Sequence, residues 1–163
     1  MRIIKNTTNI PNEYIREVFG FVKPHNVRSS GLQITVRNSR LFSAHWTLTY
    51  DKKGMVVDKV VLSVGDNGNS KMKFPYFVDR SKGRRGGYLS ELLLSREEMI
   101  VSILAHELRH AWQYRKRRGY RVWGARGQFS ERDADAYAIR TTRKWRKQNY
   151  KDSIDLALNL SLQ

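Results

Sequence analysis

The sequence predicts a single α+β domain, in which a strand-rich half precedes a helical half. A chain of 163 residues with 40% apolar residues is the size and composition of one globular domain. Alternating apolar and polar residues are confined to the first part of the chain, and helix start signals dominate the rest. We therefore expect one domain over 1–163, with a helix and a sheet in 1–94 and a helical half in 95–163.

The strand-rich half begins with a helical segment. In PNEYIREVF, residues 11–19, Pro11 is typical of the first helical position and Gly20 of the residue that ends a helix. Alternation of apolar and polar residues then predicts strands, with a turn at KKG before the last of them, in the segments 32–37, 43–50 and 55–64.

A fourth strand is predicted at FPYFV, residues 74–78. Proline cannot donate a ladder hydrogen bond, so Pro75 is typical of an edge strand. We expect this edge to be the place where an extended peptide could pair with the sheet.

The helical half starts at a capping box. Ser95 can accept a hydrogen bond from the amide of Glu98, and the Glu98 side chain can return one. The helix that follows is predicted to continue to about Arg118, where Gly119 favours termination.

Ser130 and Asp133 repeat the same start signal for a second long helix, which we expect to end near Gln148. A short helix is predicted after it, from near Asp152. Helix, strands and then helices is the order of an α+β domain.

The absence of cysteine excludes disulfides, a thiol nucleophile and cysteine-ligated zinc. The first residues have no apolar region of the kind found in signal peptides, and no apolar run reaches the length of a membrane span. We therefore expect an intracellular, cytoplasmic protein.

The chain is strongly basic, with 31 Lys and Arg against 15 Asp and Glu and a net charge of +16. Most of this excess lies in 80–151, so we expect a polyanion partner (DNA, RNA or a nucleoprotein) that is bound through phosphates without base specificity. The alternative is a solvated helix face that only favours solubility. The cations predicted to contact the polyanion are Arg115, Lys116, Arg117, Arg118, Arg143, Lys144, Arg146 and Lys147.

The segment AHELRHAWQY contains the pattern H-E-x-x-H in His106, Glu107 and His110. The two histidines are four residues apart, so they lie one turn apart on the same side of a helix and can reach one ion. Glu107 can approach a water at the same ion and act as a base. A pair of surface histidines is the alternative interpretation.

Zinc needs a third protein ligand, and the other two histidines lie upstream in the strand half. A carboxylate must serve, and SERDADAYA supplies Glu131 and Asp135, four residues apart on one helix face. Ala134 and Ala138 permit this helix to pack closely on the first. We expect Glu131 to be the third ligand and Asp135 to accept the remaining N–H of a ligand histidine, His106.

H-E-x-x-H followed about twenty residues later by E-x-x-x-D resembles the gluzincin, or thermolysin-like, metallopeptidases. In size the chain is similar to the ImmA/IrrE-type peptidases. The resemblance covers about residues 95–140. It implies a zincin-like minimal metallopeptidase domain that binds Zn²⁺ through His106, His110 and Glu131. It also implies hydrolysis of peptide bonds by a water bound to the zinc, with Glu107 as the general base and Asp135 supporting the ligands.

Other zinc peptidase families fit less well. Metzincins and SprT-like proteases use a third histidine, whereas no histidine follows His110, and position 113 is Gln. Larger gluzincins also stabilise the transition state with a later histidine. In this chain that role would fall to Tyr114, Tyr120 or Arg121, although ordinary packing is the simpler expectation for each tyrosine.

Two functions therefore follow from the sequence. The first is a zinc metallopeptidase that acts near nucleic acid or a nucleoprotein. The second is a nucleic-acid-binding or assembly protein on a zincin scaffold, with a structural or vestigial metal site. Glu107 favours the first because a structural zinc needs no base, and the missing transition-state histidine favours the second.

Overall fold

In a computed structural model, the protein has an α+β architecture: a mixed sheet with one helix, followed by two packed helices. The structure describes residues 1–25, 27, 31–50, 53–54, 56–65, 73–79, 90–116 and 128–149.

The described elements follow one another in the order that the sequence predicts, with two additional strands. The strands are β1 (Arg2–Asn6), β2 (Leu32–Ser39), β3 (Ser43–Tyr50), β4 (Val56–Gly65), β5 (Tyr76–Asp79) and β6 (Ser90–Leu93). The helices are α1 (Asn12–Val22), α2 (Arg96–Lys116) and α3 (Gln128–Asn149).

The main sheet has four strands in the order β1-β2-β4-β3. β1 and β4 run parallel to β2, whereas β3 runs antiparallel to β4 and forms an edge, with Trp46 opposite Val60. The three central predictions, β2 to β4, are confirmed. β1 is not predicted from the sequence, because Ile3 and Ile4 are adjacent and do not alternate with polar residues.

A separate two-stranded antiparallel sheet pairs β5 with β6. The predicted strand at FPYFV is confirmed, although it begins at Tyr76, after Pro75. Its partner β6 escapes prediction because four residues are too short to display a period. Phe77 and Leu92 face each other across this small sheet, and both side chains are exposed.

Helix α1 departs from its prediction at both ends. Pro11 occupies the N-cap position and the helix passes through Gly20 to Val22, which is fully buried. It ends there because the next residue, Lys23, is extended ahead of Pro24, as residues before proline usually are. Burial of Val22 outweighs the weak stop signal of a glycine.

Helix α2 begins at the predicted capping residue. The Ser95 hydroxyl accepts a hydrogen bond from the Glu98 amide at 3.3 Å, which confirms the first bond of the capping box. The Glu98 carboxylate is fully buried and accepts a hydrogen bond from the Leu94 amide, at 2.8 Å.

Helix α3 begins at Gln128, two residues before the predicted start. Asp133 therefore lies inside the helix, and its carboxylate contacts Arg109 of α2. The predicted end near Gln148 is confirmed within one residue. The segment after 149, where a further helix was predicted from Asp152, lies outside the described residues, as does Gly119.

The core lies between the main sheet and the helices. α2 contributes a fully buried apolar stripe to it, and α3 packs on α2 through Ala134 and Ala138, as predicted from their size. Trp145 of α3 is also buried and meets the Phe21 ring edge-on, with 5.0 Å between the ring centroids, so it belongs to the core. The residues of the α2 stripe are Val101, Leu104, Ala105, Leu108 and Ala111.

Contacts between α2 and α3 establish that the two helices run antiparallel. His106 lies beside Asp135, while Glu98, earlier in α2, lies beside Arg146, later in α3. One end of the pair therefore brings together the residues of the H-E-x-x-H and E-x-x-x-D patterns. Among the residues that the structure describes, no helix has both the length and the apolar character required to cross a membrane.

Candidate metal centre

The structure brings together the three residues that the sequence predicts as metal ligands. His106 Nε2 lies 3.0 Å from His110 Nε2. Glu131 reaches both rings, with one carboxylate oxygen 3.5 Å from His106 Nε2 and the other 3.7 Å from His110 Nε2. One ligand atom from each residue lies within 4.8 Å of the others. The group could therefore hold a metal ion.

These separations fit a tetrahedral ion. Ligand atoms at about 2.0–2.1 Å from zinc lie about 3.3 Å from one another in a tetrahedron. The N–N separation of 3.0 Å is slightly shorter than this value, and the N–O separations of 3.5 and 3.7 Å are slightly longer. The two N–O separations involve different oxygens of Glu131, so a small rotation of its carboxylate would select the oxygen that binds the ion. Two imidazoles and one carboxylate are also a ligand set that zinc accepts.

His106 is oriented by Asp135, the partner that the sequence predicts. Its Nδ1 lies 2.8 Å from Asp135 Oδ1, and the Asp135 side chain is only 4% exposed. A carboxylate accepts hydrogen bonds and does not donate them, so Nδ1 carries a proton and Nε2 faces His110 and Glu131.

His110 is oriented by a residue to which the sequence reasoning assigns no role. Its Nδ1 lies 2.9 Å from Gln113 Oε1, and Gln113 donates from Nε2 to Asp133 at 2.9 Å. From the sequence, Gln113 is used only as an argument against a metzincin, whose motif would continue through this position. Its spacing of three residues from His110 places both on one helix face, which is the signal that could have identified it.

Asp133 completes this cluster by pairing with Arg109. Arg109 donates two hydrogen bonds to the carboxylate, from Nε at 2.6 Å and from Nη2 at 2.9 Å. Burial by itself raises the pKa of Asp133. The hydrogen bonds from Arg109 and Gln113 and the charges of Arg109 and Arg140 outweigh burial, so this pKa lies below its ordinary value. Asp133 is therefore a carboxylate at neutral pH.

Glu107, the predicted general base, lies against the edge of the main sheet. Its Oε2 accepts a hydrogen bond from the backbone amide of Trp46 in β3, at 2.7 Å. The Trp46 indole donates to the buried carboxylate of Asp58 in β4, at 3.0 Å. β3 and β4 thus hold the amide that meets Glu107. Trp46 and Glu107 are 61 residues apart, and no sequence pattern connects them.

Of the three candidate oxyanion donors, only Tyr114 lies among the described residues. Its ring contacts the Trp46 ring, with 5.6 Å between centroids, so it lies on the same side of α2 as the Glu107–Trp46 contact. Tyr120 and Arg121 lie outside the described residues.

Two of the cations predicted to bind a polyanion form ion pairs within the protein. Arg146 donates two hydrogen bonds of 2.7 Å to the buried Glu98 and one of 3.3 Å to Glu91. Hydrogen bonding to Glu98 raises the pKa of Arg146 further above its ordinary value, against the opposing effect of burial. Arg143 pairs with Glu91 at 2.7 Å, although its own side chain is 62% exposed.

Lys144 and Lys147 are exposed on α3 and remain candidates for polyanion contact. The side chains of Arg115 and Lys116 belong to the part of α2 whose side chains are not described, and Arg117 and Arg118 lie outside the described residues. The polyanion interface therefore stays a prediction.

A comparison of the chain with protein-family models, with curated proteins and with solved structures found no match. The gluzincin resemblance stays a hypothesis, and it rests on the motif residues and their arrangement.

Proposed function

We propose that this chain is a zinc-dependent peptidase of gluzincin type, built on a zincin-like domain. The observation that carries the proposal is the convergence of His106, His110 and Glu131, whose ligand atoms lie within 4.8 Å of one another. Glu107, which a structural metal site does not need, follows His106 directly in α2. In addition, this helix packs beside an antiparallel edge strand.

Orientation of the ligands supports a metal at this position. Asp135 and Gln113 lie at the Nδ1 atoms of the two imidazoles, so both Nε2 atoms face the same place as the Glu131 carboxylate. Two ring nitrogens 3.0 Å apart beside a partly buried carboxylate need a proton or a metal cation between them, and a metal ion can bind all three groups at once. Zn²⁺ suits two imidazoles and a carboxylate better than Mg²⁺ or Ca²⁺, which prefer oxygen ligands.

In the proposed hydrolysis, the metal and the residues of the chain would have different roles. Zinc, when bound, lowers the pKa of water and polarises a substrate carbonyl. Glu107 accepts the proton of the attacking water and transfers it to the leaving amine. The Trp46 amide stabilises the negative charge of Glu107 and holds one of its oxygens, so the other oxygen is the one that can exchange protons.

We propose β3 as the edge that pairs with an extended substrate, in place of the strand predicted at 74–78, because that strand belongs to a separate two-stranded sheet. β3 is the edge of the main sheet next to Glu107, and the Trp46 amide already points away from β4. Amides alternate sides along a strand, so those of Ala44 and Leu48 point the same way. A peptide added along β3 would pair with the Ala44 and Leu48 amides, which flank the Trp46 amide bonded to Glu107, and would bring a scissile bond close to Glu107.

The test compares native protein with Glu107→Gln, which keeps the side-chain size and removes the base. Bound zinc is measured by elemental analysis, and cleavage is measured on a broad peptide library. We expect unchanged zinc content and a rate lower by about 10²- to 10⁴-fold, the usual contribution of a general base. Glu97→Gln, on the same helix, is the matched control and should cleave as the native protein does.

A native protein that binds zinc and cleaves no peptide would overturn the peptidase proposal and leave the second candidate. That candidate is a nucleic-acid-binding or assembly protein on the same scaffold, and the exposed Lys144 and Lys147 on α3 favour it. A native protein that binds no zinc would overturn the metal proposal itself.

A further inference from the structure

Three residues, Gln113, Asp133 and Arg109, are linked to His110 one after another by hydrogen bonds. Its Nδ1 contacts Gln113 Oε1 at 2.9 Å, Gln113 Nε2 contacts Asp133 Oδ2 at 2.9 Å, and Asp133 accepts two bonds from Arg109. Gln113 thus lies between a proposed metal ligand and a carboxylate.

The carboxylate decides which way the Gln113 amide is turned. Asp133 can only accept hydrogen bonds, so the amino group of Gln113 must face it. The amide oxygen then faces His110 and can only accept. The opposite orientation would place the Gln113 oxygen against the Asp133 carboxylate, where two acceptors repel each other, and would lose the bond between them.

Arg109 fixes the carboxylate in turn. It binds both oxygens of Asp133, and its guanidinium lies 3.7 Å from the centre of the Trp112 ring. Bidentate pairing and stacking on an aromatic ring both restrict a guanidinium to one orientation. Arg109 therefore fixes the Asp133 carboxylate, and Asp133 fixes the orientation of the Gln113 amide. As a result, the Gln113 oxygen is the atom that faces His110.

We infer that Gln113 is a positioning residue that sets the tautomer and ring orientation of His110, so that Nδ1 carries the proton and Nε2 is available as a ligand. The inference deepens the proposed zinc site and rests on it for its purpose. The two histidines are then oriented by different chemistry: His106 by the Asp135 carboxylate and His110 by a neutral amide.

The neutral amide has a consequence for charge. Glu131, Asp135 and Glu107 already bring carboxylates to the proposed site. A carboxylate at position 113 would orient His110 equally well but would add a further negative charge beside Asp133. Gln113 therefore orients the ring without that charge.

The first measurement uses metal-free protein. Long-range ¹⁵N–¹H NMR spectra report which ring nitrogen of His110 is protonated. We expect the Nδ1–H tautomer alone in native protein and a mixture of tautomers in Gln113→Leu. Gln148→Leu removes an exposed glutamine from α3 and is the matched control, which should leave the His110 signals unchanged.

The second measurement is zinc affinity by competition with a chelator. Loss of a partner that orients a ligand histidine typically weakens metal binding by about 10- to 100-fold, and we expect this for Gln113→Leu. The double variant Gln113→Glu with Asp133→Asn exchanges the positions of the amide and the carboxylate. A carboxylate oxygen at position 113 then remains as the acceptor for His110 Nδ1. It should retain the Nδ1–H tautomer and restore most of the affinity.

Folding is checked by thermal unfolding of each metal-free variant. If Gln113→Leu does not fold, the double variant replaces it in the NMR measurement, and loss of the Nδ1–H tautomer there overturns the inference. An unchanged tautomer in a folded Gln113→Leu protein also overturns it. Absence of zinc binding by native protein refutes the proposed function instead, because the tautomer of metal-free protein is read without zinc.

Discussion

Both ends of the α2–α3 pair carry charged side chains, and the two ends use them differently. At the end where α2 begins, arginines of α3 meet the buried Glu98 and Glu91. At the opposite end, the acids Glu131 and Asp135 of α3 meet the histidines of α2. In the first cluster α2 carries the acid and α3 the bases. In the second cluster α2 carries the histidines and α3 the acids.

The difference lies in how hydrogen-bonding capacity is used. Both Glu98 oxygens accept bonds from Arg146, and one of them also accepts from the Leu94 amide. This end is a closed ionic cluster that fixes β6, α2 and α3 to one another. At the opposite end, the imidazole Nδ1 atoms are engaged, while the Nε2 atoms and the Glu131 carboxylate face one another. A cluster in which every oxygen already accepts a hydrogen bond is typical of a structural role. A cluster in which ligand atoms face one another is typical of a metal site.

The largest effect on stability is expected at the closed end. Glu98→Ala removes a fully buried carboxylate and leaves the Arg146 guanidinium without its main partner. Removal of one partner of a buried pair costs about 3–5 kcal/mol, so we expect a loss of free energy of unfolding near that range. Denaturant unfolding of metal-free protein measures it.

Glu97→Ala, one residue away in the first turn of α2, is the control for Glu98→Ala. It should change the free energy of unfolding by about 0.5 kcal/mol or less. Equal small losses in the two variants would show that the Glu98–Arg146 pair does not hold the helices together.

An intermediate effect is expected at the metal end, and only with zinc present. Native protein should gain about 2.7 kcal/mol of stability when free zinc exceeds its dissociation constant 100-fold. Glu131→Gln keeps the shape of the side chain but removes the charged ligand, so this gain should disappear under the same conditions. Unfolding in zinc and in excess chelator gives both values.

Glu17→Gln, an exposed change in α1, should keep the full zinc-dependent gain. A gain that survives Glu131→Gln would mean that zinc binds elsewhere, and the difference between the two ends of the helix pair would lose its functional meaning.

The smallest effect on stability is expected for exposed cations of α3. Lys144→Gln with Lys147→Gln should change the free energy of unfolding by about 0.5 kcal/mol or less and leave zinc binding intact. If these lysines neutralise phosphates, the slope of log affinity for duplex DNA against log salt should become shallower by about 0.9 for each phosphate that is no longer neutralised.

Lys5→Gln with Lys73→Gln removes the same charge from the strand-rich half and is the control for DNA binding. An equal reduction of the slope in both double variants would mean that net charge, and not the α3 surface, governs DNA binding.

The sequence is informative about local structure because local structure depends on nearby residues. The alternation in β2, β3 and β4 and the Ser95 cap of α2 are predicted correctly. Errors arise where tertiary contacts outweigh local signals. Burial of Val22 extends α1 beyond Gly20, where the sequence predicts its end.

The candidate ligands can be named from the sequence because helical spacing alone places His106 beside His110 and Glu131 on the same face as Asp135. The sequence by itself thus determined the α+β class and the residues of the proposed site. Tertiary structure decided their environment: Trp46 of β3 meets Glu107 across 61 residues, and Asp133 meets Gln113 across 20. Side-chain orientation depends on partners brought close by packing, and no periodicity along the chain encodes which partners those are.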